Sequence, residues 1–293
     1  MQYLRPFFRI LPFLLIISLY LLTLPGCTPL YPETEESIRK SSDKSVKPEI
    51  SETGKDSIDV VAVKKVVAPL RIGVTDGAPP LVSKKGKKFV GLEVDLARAL
   101  AATLGKKALF IEVPWAEQIN WLEQNKIDII MSGMTITRPR TYRVNFTTPY
   151  LRGGQIMLVR LEDRNLFSTG VYSVMNTNHT IGVVTGTTGD LFVTESINGA
   201  KIRRFEKAGD GVRALEKKKI DVLIYDAPMV CHYAAISQGQ KLTPILHLAT
   251  EEYLAWGVAK DNDELHSRAN RFLMEIEKNG RLQRLITKWI PYM

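Results

Sequence analysis

The pattern Leu-Glu-x-x-Lys-Ile-Asp occurs twice, at residues 122–128 and 215–221, and each copy leads from a helix-like stretch into an apolar run. Both runs break into short polar segments, Ser132-Gly133-Met134-Thr135 in the first and Tyr225-Asp226 in the second. A parallel sheet presents ligands at such carboxyl ends. A duplicated unit of this kind constrains the chain to two similar α/β lobes, and lobes whose strand tips face each other enclose a cleft.

Of the 293 residues, 45% are apolar and 24% charged, which suits a globular protein with a sizeable core. The net charge is +9; without Arg5 and Arg9 of the leader, 38 basic residues face 31 acidic ones, or +7. Nucleic-acid binding needs clustered Lys/Arg with interleaved aromatics, whereas here the basic residues are scattered, as in Lys84-Lys85 and Lys217-Lys218-Lys219. No nucleic-acid partner is expected. The four histidines suggest no catalytic triad and show no metal-ligand spacing, so neither a catalytic residue nor a metal site is assigned. No cofactor is implied.

Residues 1–26 combine a basic start, a fifteen-residue apolar run at 10–24, and Pro25-Gly26-Cys27. The run is short for a membrane span of about twenty residues. A small residue before a cysteine after such a run resembles a bacterial lipoprotein box cleaved between Gly26 and Cys27, with Cys27 lipidated; an uncleaved anchor helix is the alternative. Pro25 departs from the small or hydroxylated residue usual there. Either way the rest lies outside the cytoplasm, in the periplasm or at the cell surface. Residues 27–68 are rich in Pro, Ser, Glu and Lys and almost free of aromatics, the composition of a flexible tether. Forty such residues span on the order of 35 Å. Within them, 58–63 is either a short strand or linker. With Cys27 lipidated, Cys231 has no partner and reads as a buried structural thiol.

From residue 69 onward strands alternate with helices: a strand at 70–74, a helix from 91 to 104 stopped by Gly105, a strand at 108–113, a helix at 116–124 and a strand at 128–131. This alternation predicts a parallel, doubly wound sheet. A second lobe starts after Gly153-Gly154 with a strand at 155–159 and continues through a strand at 180–184, the turn 185–189, a helix, the second repeat, and the apolar segment 245–248. Residues 253–258 read as one strand, followed by a long amphipathic helix at 263–278 stopped by Gly280. The expected lobes are 69–153 plus 251–293, and 154–250, joined by a two-strand hinge. Asp128 and Asp221, at equivalent repeat positions before their strands, read as structural turn or cap residues.

From Pro69 to Trp289 the chain resembles the amino-acid-binding solute-binding proteins of ABC importers, which have the type II periplasmic binding fold. The resemblance is carried by Gly91-Leu92-Glu93-Val94-Asp95, by Lys126-Ile127-Asp128 with the stretch 131–140, by Phe146-Thr147-Thr148-Pro149-Tyr150, by Gly186-Thr187-Thr188, and by Ile220-Asp221 with Tyr225-Asp226. The Gly-x-Thr-x-Thr-x-x-Arg stretch ending at Arg140 is the most specific of these.

An α-amino acid needs a forked cation at one end and an acceptor cluster at the other. Thr137 is placed to cap a helix starting at Arg138-Pro139, with Arg140 in its first turn, where a guanidinium can grip a carboxylate with two prongs. The resemblance assigns Arg140 to the ligand carboxylate, the Gly133 carbonyl and Thr135 hydroxyl to the ammonium, the Thr135 amide and Thr188 to the carboxylate, and Asp226 to the ammonium. Gly133 and Thr135 suit ordinary turn chemistry equally well. Gly186-Thr187-Thr188 offers helix-start amides to an anion. Trp115 is either an aromatic wall against the ligand side chain or a core tryptophan. Asp76 either faces a cationic side chain or stabilises its turn. Ala78 stands where the family usually has a second aromatic wall.

The implied activity is capture of a small zwitterion by lobe closure and delivery to an ABC permease in the inner membrane, by a lipid-anchored monomer. Two alternatives stay open: a sensory lipoprotein, and a cyclohexadienyl or arogenate dehydratase on the same fold, for which Glu117 and Glu93 are the available acids.

Overall fold

The computed structural model describes residues 67–237 and 241–292. The leader, Cys27, the tether and the 58–63 segment lie outside the described residues. The repeat explains the architecture. Leu122 and Leu215 are buried at the ends of the helices Gln118–Glu123 and Ala208–Glu216. Five residues after each leucine, Ile127 and Ile220 lie over glycines of the neighbouring strands: a Cβ on Gly73 would stand 2.4 Å from the Ile127 δ-methyl, and one on Gly182 would stand 2.4 Å from that of Ile220. Only glycine allows so close an approach.

The aspartates of the repeat close the unit. The Asp128 carboxylate accepts the Arg71 amide at 2.7 Å while the Asp128 amide donates to the Arg71 carbonyl at 2.8 Å, and Asp221 does the same with the Thr180 amide and carbonyl, each at 2.8 Å. They are therefore strand-to-strand clamps rather than turn or cap residues. Asp128 also pairs with the Arg71 guanidinium at 2.6 Å.

Two five-stranded sheets result. In the first, Ala108–Glu112, Leu70–Val74 and Ile129–Ile130 run parallel, followed by Gly257–Ala259 and Val144–Phe146. In the second, Lys201–Phe205, Thr180–Val184 and Val222–Asp226 run parallel, followed by Gln155–Arg160 and Leu242–Ile245. The expected parallel order holds for three strands of each sheet. The fourth strand is antiparallel in both, because it enters directly from the connection between lobes and needs no helical crossover. That connection is a two-stranded ribbon, Leu151–Gly153 paired with Glu252–Leu254.

The expected single strand at 253–258 is thus two strands in different sheets, separated by the buried Ala255 and Trp256. The helix Leu92–Thr103 buries Leu96, Ala97, Leu100 and Ala101 on one face, and Gly105 at φ 68° ends it. Asp263–Lys278 is the long amphipathic helix, with Gly280 at φ 70° after it. The last strand of the second sheet, Leu242–Ile245, overlaps the apolar segment 245–248 only at Ile245. Cys231 sits half-buried in the helix Ala227–Ile236, where burial pushes its thiol up. No described helix is long and apolar enough to cross a membrane.

Candidate functional site: a cleft between two strand ends

The carboxyl ends of both sheets meet at one cavity, partly open to solvent. All eight ligand-site residues singled out from the sequence line it: Asp76, Trp115, Gly133, Thr135 and Arg140 from the first lobe, and Thr187, Thr188 and Asp226 from the second. Neither Glu93 nor Glu117, the acids the sequence offers for a dehydratase, is among the lining residues.

Thr137 accepts the Arg140 amide at 3.4 Å and starts the short helix Arg138–Thr141, whose second residue is Pro139. The Arg140 side chain turns back to donate to the Thr135 carbonyl at 2.8 Å and lies over the Trp115 ring, 5.2 Å from its centroid. Burial lowers its pKa, an effect opposed by the charges of Asp226 and Glu252, which attract it across the cavity without a hydrogen bond. Trp115 itself donates from its indole nitrogen to the Gly186 carbonyl at 3.0 Å, a contact from one lobe to the other. It is half-buried, lining the cavity while packing against the apolar cluster of Val113, Leu122 and Ile130.

Gly133 has φ 72°, a conformation that favours glycine, and its amide donates to the buried Glu93 carboxylate at 2.9 Å. Glu93 lies behind the cavity wall and also accepts the Tyr150 hydroxyl at 2.5 Å. Burial is the main cause raising its pKa to about 7; the bonds from Tyr150 and Gly133 oppose it, and the Trp256 indole lies near, outside hydrogen-bonding reach.

Asp226 ends its strand and is buried facing the cavity. Burial first, and then the like charge of Glu252, raise its pKa to about 7, against a hydrogen bond from Gln155 and the charge of Arg140. Thr187 turns its hydroxyl inward, donating to the Val184 carbonyl at 2.8 Å and accepting the Asp190 amide at 3.4 Å, so it caps the helix Thr188–Ser196. The Thr188 amide, in the first turn of that helix, has no intrahelical acceptor. Asp76 holds its turn, where one oxygen accepts the Lys84 amide at 2.9 Å, and its other oxygen lies 3.9 Å from the protein's own Lys207 in the second lobe.

Two polar residues were not singled out from the sequence. Gln155 and Glu252 are 0% and 7% exposed and join Asp226, Thr135 and Thr188 in one hydrogen-bonded cluster. A signal existed for each. Gln155 is the polar first residue of a strand whose next four residues are apolar, and Glu252 shares the inward face of its strand with Leu254, two residues on. Among the described residues no group of three His, Cys, Asp or Glu side chains is arranged to hold a metal ion.

The family model for bacterial extracellular solute-binding proteins, family 3, matches residues 70–292. The chain belongs to that family. This solute-binding protein is 26% identical over 232 residues to the ABC transporter arginine-binding protein 1 of Escherichia coli K12, covering 76% of the present chain and 90% of the relative. It is 27% identical over 226 residues to the L-cystine-binding protein of the same bacterium, covering 75% and 82%. A solved structure, the ancestral amino acid-binding protein AncCDT-1, described as a precursor of cyclohexadienyl dehydratase, superposes with a TM-score of 0.71 at 30% identity, covering 76% of this chain and 95% of that one. The type II periplasmic-binding architecture of two α/β lobes is common to both, and the named relatives are binding proteins rather than enzymes.

Proposed function

We propose that the protein captures a zwitterionic amino acid in the cleft and presents it to an ABC importer. The observation that carries this reading is the single cavity with Arg140 on one wall and Asp226 on the other, drawn from different lobes. In this reading the guanidinium takes the ligand carboxylate, and the acidic cluster takes the ammonium. Only a molecule bearing both charges links the walls and favours the closed arrangement. Each charge-assisted bond contributes about 1.5–3 kcal/mol; three or four reach the roughly 8 kcal/mol of micromolar affinity.

The names of the arginine- and cystine-binding relatives support an amino acid as the ligand class. Trp115 would form one wall against the ligand side chain, and Ala78 leaves the opposite side wide. Delivery would proceed from a monomer held at the membrane by a lipid on Cys27, with residues 27–68 as tether and lobes at 69–153 plus 251–293 and 154–250.

A thermal-shift screen of the twenty amino acids, followed by calorimetry on the best, tests the reading. The Arg140→Ala protein is expected to lose calorimetric binding and the ligand-induced shift while its ligand-free melting temperature stays nearly the same. Retained affinity in that protein would reject the site.

A further inference from the structure

Glu251 and Glu252 are adjacent and opposite in environment. Glu251 is exposed and pairs with Arg152 at 3.0 Å, whereas Glu252, first residue of the returning ribbon strand, turns into the protein. Its carboxylate receives four donors. Oε2 accepts the hydroxyls of Thr135 and Thr188, each at 2.8 Å, and Oε1 accepts the Thr250 hydroxyl at 2.8 Å and the Gln155 amide at 3.1 Å.

A tie between the lobes explains part of this, since Thr135 belongs to the first and Thr188 to the second. It does not exhaust the consequences. A hydroxyl has one proton, and once that proton points at Glu252 the oxygen offers only lone pairs elsewhere. Thr135 and Thr188 both line the cavity. Together with Asp226 they make that end of the cavity a set of acceptors, while Arg140 and the Thr188 amide remain donors for an anion.

We propose that Glu252 is a positioning residue for the ligand ammonium: by taking the protons of Thr135 and Thr188 it turns both hydroxyls into acceptors, and it sets a second negative charge behind Asp226. The inference rests on the amino-acid reading of the cleft and deepens it. Thr188, assigned by resemblance to the carboxylate, would then serve the ammonium through its hydroxyl and the carboxylate only through its amide.

The electrostatics agree in direction. Asp226 is faced by Arg140, Glu252 and Gln155, with the neutral phenols of Tyr150 and Tyr225 close by, and its pKa of about 7 is due to burial and then to Glu252. An arriving ammonium favours ionised Asp226. Affinity should therefore fall as pH drops through about 7, and removing the Glu252 charge should move that fall to lower pH.

The test is calorimetry on the full chain from about pH 5.5 to 8.5, with the amino acid that binds the wild type best, for wild type, Glu252→Gln and Thr188→Val. Glu252→Gln is expected to bind about tenfold more weakly at about pH 8 and to lose affinity at a midpoint about one pH unit lower than wild type. Unchanged affinity, or an unmoved midpoint, would overturn the proposal. Should Glu252→Gln fail to fold, Thr188→Val decides: about tenfold weaker binding supports the role, and unaltered binding ends it. Wild type that binds no amino acid would instead defeat the functional reading, so the two failures are distinguishable.

Discussion

Glu93 shows how one residue can shape a site it never touches. One oxygen of its carboxylate, Oε1, accepts both the Gly133 amide and the Tyr150 hydroxyl, so the backbone bend that opens the cavity wall is tied to the residue preceding the ribbon strand Leu151–Gly153. Burial has a thermodynamic consequence. With a folded pKa of about 7 against an ordinary 4.5, the native state holds this proton more tightly than the unfolded chain does. The stabilisation is complete below about pH 4.5 and is lost as pH rises through about 7, by up to about 3 kcal/mol. Asp226 acts in the same direction. The ligand-free melting temperature of Glu93→Gln is therefore expected to vary less between about pH 5 and 7.5 than that of the wild type; parallel profiles would refute this. Arg140 and Asp226 were readable at this scale because the motifs around them are local. Glu93 was noticed only as part of a motif, since nothing in Gly-Leu-Glu-Val-Asp says which of its two acids is buried.

At the scale of elements, the repeat is a packing device. The isoleucines of Lys-Ile-Asp need a glycine beneath them, and Ile72-Gly73-Val74 and Ile181-Gly182-Val183 supply it at matching places. A methyl at Gly73 would meet Ile127 at 2.4 Å and the Gln118 Oε1 at 2.7 Å. Gly73→Ala is expected to destabilise by about 1–3 kcal/mol in urea unfolding, and Ile127→Val in the same chain to recover part of the loss, since the two sites are in contact. Additive losses would contradict this packing. Regular apolar strands such as Leu70–Val74 and Thr180–Val184 were legible from their runs. The hairpin Ser83–Lys85 and Lys88–Val90 and the edge strand Lys201–Phe205 were not, because their exposed lysines and arginines resemble loop composition while protecting sheet edges from pairing.

For the whole molecule, the two lobes share an apolar cluster and are joined besides by polar contacts: Trp115 with Gly186, Asp76 with Lys207, Glu252 with Thr188 and Gln155, and Tyr292 with the Pro228 carbonyl. Polar contacts of this kind contribute about 1 kcal/mol each, little enough for a ligand to tip the balance between open and closed. The proposed delivery to a transporter gives the amino-terminal segment a testable role as anchor. Cys27→Ala is expected to move the protein from the membrane fraction to the soluble one and to abolish labelling by a radioactive fatty acid; unchanged fractionation and labelling would exclude the lipid anchor.

The sequence alone determined the duplicated α/β plan, because periodicity, glycine stops and capping residues act over a few positions, and its local motifs, through the resemblance they carry, pointed to Arg140 and Asp226. Only the tertiary structure decided that Glu252 meets Thr135, 117 positions away, and Thr188, 64 positions away. It likewise decided that Gln155 bridges to Asp226 and that Glu93 is sealed from water. The burial of an acid and the direction of a hydroxyl proton depend on which groups the folded chain brings within about 3 Å, and no local pattern carries that information.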